Sequence, residues 1–128
     1  MLALNMDHAS FKNWLDAYGS AWESRNPRAA AELFAEDGSY QVTPFVAPHC
    51  GRQAIFDYWV QVTQAEEDIR FGFEILSVTP DFGIARWRAN FVIKPPGLKT
   101  QLDGIFLISL DAAGHCKSLK EWWHKQQD

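Results

Sequence analysis

The spacing of hydrophobic and polar positions changes period near the middle of the chain. Phe11, Trp14, Leu15, Tyr18 and Trp22 recur at steps of three and four, which places them on one stripe of a first helix. Asp7 or Ser10 stands where a cap is wanted. Asn26 followed by Pro27 stops that helix and starts another, because proline cannot continue a helix yet suits the first turn of the next, with Asn26 as N-cap. The second helix, PRAAAELFA, is expected to end near Asp37–Gly38. A brief strand from Ser39 to Thr43 follows, halted by Pro44. Residues 48–51 read as a loop, and a third helix runs from about Arg52 to Glu66 with Ile55, Phe56, Trp59 and Val62 or Thr63 on its apolar stripe.

From there the period is two. Ile69, Phe71, Phe73 and Ile75 alternate with Arg70, Gly72 and Glu74, and Trp87, Ala89, Phe91 and Ile93 alternate with Arg86, Arg88 and Asn90. LKTQLDGIFLISL and CKSLKEWWH supply two more strands. The connections TPDFG, KPPG and DAAG are short and rich in turn formers, so consecutive strands pair antiparallel. Helices first and a meander afterwards specify an α+β fold with the helices on one face of a curved sheet. Residues 1–128 read as one domain, with a core of about 8–125.

Composition narrows the function classes. A chain of 128 residues with 47% apolar and 14% aromatic residues and a net charge of −4 has too much to bury to be disordered. Twelve basic against sixteen acidic residues argue against nucleic acid as a partner, since phosphate neutralisation needs a basic face. No apolar run approaches the roughly 20 residues of a membrane helix, so no membrane association is expected. The start, MLALNMDHAS, does not read as a signal peptide, and Met6 is an alternative start. Two cysteines, Cys50 and Cys116, suit a reducing cytoplasm.

Leu33-Phe34-Ala35-Glu36-Asp37 closing the second helix, Gly51-Arg52-Gln53-Ala54-Ile55 opening the third, Leu110-Asp111-Ala112-Ala113-Gly114 in the last hairpin and Glu121-Trp122-Trp123 in the last strand carry a resemblance. On these residues the chain resembles the nuclear transport factor 2-like superfamily, or SnoaL-like domains, which includes ketosteroid isomerases, polyketide cyclases and scytalone dehydratase. The resemblance implies a cone: a mainly antiparallel, curved sheet wrapped around three N-terminal helices, with an apolar pocket at the open end. Aligned with ketosteroid isomerase, Trp87, Ala89, Phe91, Leu102, Gly104, Phe106, Leu119, Glu121 and Trp123 face inward. In that isomerase a helical tyrosine and a protonated acid bind the oxyanion while an aspartate moves the proton. Those positions fall here on Gly19, Phe106 and Thr43, so that apparatus is missing.

Glu121 is the chief candidate for chemistry. A carboxylate between Leu119 and Trp123 loses hydration, which raises its pKa and suits it to acid–base work; its bland alternative is an ion pair with an arginine on an adjacent strand or with Arg52. His49, in the loop after the first strand, is a second catalytic candidate, or an exposed loop histidine. Gln41 and Thr43, read as inward on the first strand, and Tyr18, Trp59, Trp87, Phe91, Phe106 and Trp123 are candidate ligand contacts, with ordinary strand polarity or core packing as the alternative. The His49-Cys50 and His115-Cys116 pairs do not make a metal site, because neighbours on extended chain point opposite ways. No G-x-S-x-G elbow or phosphate loop is present.

The expected function is that of a SnoaL-like protein holding a small hydrophobic molecule, with cofactor-free isomerase, dehydratase or cyclase chemistry. The alternative is a non-catalytic binding or dimeric interaction module. Ile105, Leu107 and Trp122, set among Arg86, Arg88, Asp103 and His124 on the outer sheet face, are expected to form a homodimer contact.

Overall fold

The computed structural model describes residues 6–128. Helix α1 (His8–Glu23) opens with a reciprocal cap. The Asp7 carboxylate accepts from the Ser10 N–H at 2.8 Å, and the Ser10 hydroxyl accepts from the Asp7 N–H at 3.0 Å. Asp7 is therefore the N-cap and Ser10 its partner. Helix α2 (Pro27–Glu32) begins as expected, with the Asn26 side chain accepting from the Ala29 N–H at 3.0 Å.

It ends sooner than its sequence suggests. Leu33–Asp37 was expected to close α2, yet Phe34 already starts strand β1 (Phe34–Gln41). Tertiary pairing overrides helix propensity here. The Leu33 carbonyl accepts from the Cys116 N–H at 2.8 Å and from the Trp14 indole at 2.9 Å, and the Phe34 carbonyl accepts from the Arg52 guanidinium at 2.7 and 3.0 Å. The segment expected as a loop contains a two-residue strand, β2 (His49–Cys50), paired antiparallel with β1. Helix α3 (Arg52–Ala65) follows, then β3 (Glu66–Val78), β4 (Gly83–Ile93), β5 (Leu98–Leu110) and β6 (Cys116–Gln127).

The sheet order is β2-β1-β6-β5-β4-β3, and every pairing is antiparallel except β1 with β6. Register fixes which side chains share a row. Ala85, Phe106 and Glu121 are successive Cα partners facing the helices, as are Trp87, Gly104 and Trp123. Arg86, Ile105 and Trp122 form an outward row, and Arg88, Asp103 and His124 another. Gly104 is required where β5 meets β6: a Cβ there would sit 2.8 Å from the Trp123 Cβ and closer still to the Trp122 carbonyl oxygen.

Rings fill the concave side of the sheet. Tyr18 stacks on Trp14 at 5.3 Å between centroids and meets Trp59, Phe71 and Phe106 edge-on, each at 5.5 Å. Trp87 stacks on Phe106 at 4.9 Å. Trp59, Trp87, Phe91 and Phe106, anticipated as pocket walls, are all at most 5% exposed and belong to the packed core. Gly19, the vacated tyrosine position, explains part of this closure: a Cβ there would lie 2.7 Å from the Phe71 ring, which occupies that room. Among the described residues no helix is long and apolar enough to cross a membrane. Replacing Phe106 by Ala should cost about 3–5 kcal/mol in urea unfolding, as for a close-packed aromatic; a loss near 1 kcal/mol would show that the ring borders open space.

Candidate active site

Strand alternation turns Leu119 and Glu121 inward and Trp122 outward, as the sequence pattern requires. Glu121 is 5% exposed. One carboxylate oxygen, Oε1, accepts from the Tyr40 hydroxyl at 3.3 Å, and the other, Oε2, is buried without a partner. The arginines that could have neutralised it are engaged elsewhere. Arg52 donates to the Phe34 carbonyl, while Arg86 and Arg88 hold Asp103 at 2.6 and 3.2 Å on the outer face. Loss of hydration pushes the Glu121 carboxyl up to about 8, with the Tyr40 hydrogen bond acting in the opposite direction. At neutral pH it is mostly protonated.

The Tyr18 and Tyr40 hydroxyls lie 3.4 Å apart, so Tyr18, Tyr40 and Glu121 form one buried hydrogen-bonded group. Burial, and secondly the nearby Glu121 charge, raise the Tyr18, Tyr40 and Tyr58 hydroxyls well above the usual tyrosine range, so they act as neutral donors. The Tyr58 ring meets Tyr40 edge-on at 5.4 Å, and His49 lies against Tyr58 at 4.6 Å, which brings half-buried His49 to the rim of this group.

Tyr40 and Tyr58 were not among the sequence candidates. The sequence pattern puts Gln41 and Thr43, not Tyr40, on the inward side of the first strand. Pairing with β6 reverses that parity: Tyr40 stands beside inward Leu119 and Gln41 beside exposed Lys120, after an irregularity between Phe34 and Ser39. Gln41 donates instead to the Val46 carbonyl at 3.1 Å. Thr43 lies beyond the strand. A tyrosine flanked by polar residues in a short strand was the available signal. A second, half-buried acid lies outside the sequence candidates. Glu66, at the start of β3, accepts from the Trp22 indole at 2.8 Å, and burial pushes its carboxyl up to about 7.

Pairing of β1 with β6 ends at Gln41 and Lys120. Beside that end lies a cavity of about 540 Å³ that opens on the outer face of the sheet: its lining includes Arg86, Asp103, Ile105, Trp122 and His124 together with Thr43, Phe45, Glu121 and Trp123. The Trp123 indole donates to the Val42 carbonyl at 2.8 Å and fixes its rim. Among the described residues no three His, Cys, Asp or Glu side chains gather where a metal could be held. Cys50 is exposed and Cys116 buried, both as free thiols.

No curated protein matches the sequence. Solved structures do match in fold. SalBIII, an epoxide hydrolase/cyclase-like enzyme with a role in pyran ring formation in the polyether salinomycin, superposes with a TM-score of 0.80 at 15% identity, over 92% of this chain and 93% of its own. RV0760c from Mycobacterium tuberculosis gives 0.83 at 12% identity, over 96% and 99%. The Δ5-3-ketosteroid isomerase from a Mycobacterium species gives 0.79 at 15% identity, over 93% and 98%. At these identities the likeness concerns the fold. The SnoaL-like domain family itself matches residues 15–118, so with the cone-shaped α+β architecture in place the chain belongs to the SnoaL-like domain family.

Proposed function

We propose that this protein binds a small apolar molecule next to Glu121 and moves a proton on it without a cofactor. The observation that carries the reading is the buried, uncompensated carboxyl with one oxygen held by Tyr40 and the other free. A neutral acid in that position donates its proton to a ligand oxygen. The carboxylate left behind then takes a proton from a neighbouring carbon, which converts a ketone to its enol with the proton count closed. A carboxyl titrating near 8 is well matched to both steps at physiological pH. Half-buried His49 stacks against Tyr58, which in turn meets Tyr40, so the group around Glu121 extends toward the surface at β2. SalBIII, named for pyran ring formation, and the mycobacterial ketosteroid isomerase lend the reading support by fold alone.

One observation favours the non-catalytic alternative. The concave side of the sheet is packed with rings, which suits a binding or interaction module. The outer face offers the contact: Trp122 is 46% exposed beside Ile105, within a set that includes Arg86, Arg88, Leu107 and His124. We assign a homodimer to that face, in a cytoplasmic protein with reduced Cys50 and Cys116.

Deuterium exchange at the α-carbon of a cyclic ketone in heavy water tests the chemistry. Glu121→Gln should slow protein-dependent exchange about 100-fold or more. An unchanged rate would leave the binding module as the better reading.

Stability against pH isolates the same carboxyl. Its folded value of about 8 exceeds the ordinary 4.5, so between those limits the folded chain keeps a proton that the unfolded chain has released. Stability therefore falls as pH rises through this window. Glu66 adds a slope of the same sign up to about 7. Chemical denaturation from pH 5 to 8 should show a shallower decline in Glu121→Gln than in the wild type; equal slopes would mean that Glu121 is ionised throughout.

Light scattering at micromolar concentration should report a dimer, and Trp122→Glu a monomer with unaltered circular dichroism. A monomeric wild type refutes the interface.

A further inference from the structure

An acid that gives up a proton must regain one from water, and Glu121 is 5% exposed with Oε2 sealed in the interior. Its partner Tyr40, on β1, touches two further tyrosines. Tyr18, on α1, is a dead end: it is 1% exposed and walled by Trp14, Trp59, Phe71 and Phe106. Tyr58, on α3, leads outward. Its ring meets that of Tyr40 edge-on at 5.4 Å, and its hydroxyl is a hydrogen-bond partner of Tyr40. On its far side the His49 ring lies 4.6 Å away at 33°, between exposed Pro48 and exposed Cys50. Glu121, Tyr40 and Tyr58 therefore form a line from a buried carboxyl to the surface at β2.

We propose that Glu121 exchanges its proton with solvent through Tyr40 and Tyr58, and that His49 is a positioning residue that holds the Tyr58 ring in line. The inference deepens the proposed function and rests on its proton-moving acid. Reprotonation of the carboxylate runs inward. Tyr40 passes its hydroxyl proton to Oε1 and takes one from Tyr58, which takes one from water. Each hydroxyl oxygen loses one hydrogen as it gains another, so one proton enters and neither tyrosine is left ionised. Burial raises both hydroxyls well above the usual tyrosine range, which disfavours any stepwise route through a tyrosinate. The other groups around the line leave it undisturbed. Glu66, on β3, acts on Tyr58 only through its charge, and Arg52 is turned to the Phe34 carbonyl. The rival route runs past the end of β1, where Glu121 borders the outer cavity, and the hydrogen bond from Trp123 to Val42 crosses that gap.

The test needs no ligand. Nuclear magnetic resonance of the isotope-labelled Glu121 side-chain carboxyl, followed on the resting protein through its titration at about 8, reads two quantities. Chemical shift gives the midpoint, and line width gives the rate of proton exchange with water. Tyr58→Phe keeps the ring and removes the hydroxyl, so the midpoint should stay close to that of the wild type while exchange slows on the order of tenfold or more. His49→Ala should slow exchange by a smaller factor, and His49→Phe, which restores a stacked ring, should return it to the wild-type rate. His49 belongs to a surface strand, so this pair reports even where Tyr58→Phe fails to fold. Exchange as fast in Tyr58→Phe as in the wild type overturns the path and gives the proton to the gap at the end of β1. Equal slowing in His49→Ala and His49→Phe overturns the positioning role. A wild-type midpoint in the ordinary carboxylic range overturns the acid of the proposed function instead, whatever the rates.

Discussion

Packing of aromatic rings against the concave face of a strongly bent sheet is the constraint on which the other features rest. Tyr18 sits at its centre, stacked on Trp14 and meeting Trp59, Phe71 and Phe106 edge-on. Those rings belong to α1, α3, β3 and β5, so one residue ties two helices to two strands of the sheet. Close packing also lowers the local dielectric, which is why a single carboxylic acid placed there titrates near 8. The acid is tolerated because it is neutral and because Tyr40 satisfies one oxygen. Remove the rings and Glu121 becomes an ordinary surface glutamate.

The two faces of the sheet handle charge in opposite ways. Outside, Arg86 and Arg88 share Asp103, all three well exposed, and such pairs contribute little beyond solubility and register. Inside, Glu121 has no counter-ion at all. Alternation along β4, β5 and β6 keeps the systems apart, since a one-residue slip would exchange them. The same alternation makes Trp122 a surface residue between two inward neighbours, Glu121 and Trp123.

Much of this was legible in the sequence. The stripe from Phe11 to Trp22 and the Asn26–Pro27 break follow from periodicity and capping, and alternation along β4, β5 and β6 separates two sets of side chains, of which the resemblance to ketosteroid isomerase picks out Trp87, Phe91, Phe106 and Glu121 as the inward one they are. The first strand was read less well. LFAED favours a helix by composition, and only pairing with the distant β6 makes it extended; local propensity cannot report that. The irregularity between Phe34 and Ser39 then shifted the parity by one, so Tyr40 rather than Gln41 reached Glu121. The resemblance implies a hollow, and the four buried tryptophans, Trp14, Trp22, Trp59 and Trp87, pack with their neighbours where it would lie. Whether such rings pack or part depends on small changes of backbone curvature that no residue pattern encodes.

The lone parallel pairing in the sheet has a kinetic consequence. Tyr40 and Glu121 are 81 residues apart, and they meet only because β1 lies alongside β6. The meander of β3 to β6 is built from neighbouring hairpins and closes short loops, whereas docking β1 requires the longest closure in the sheet and carries the largest entropic penalty. The glutamate is ionised in the unfolded chain at neutral pH and mostly protonated in the folded one, so closing that long loop and gaining the acid's proton belong to the same folding equilibrium.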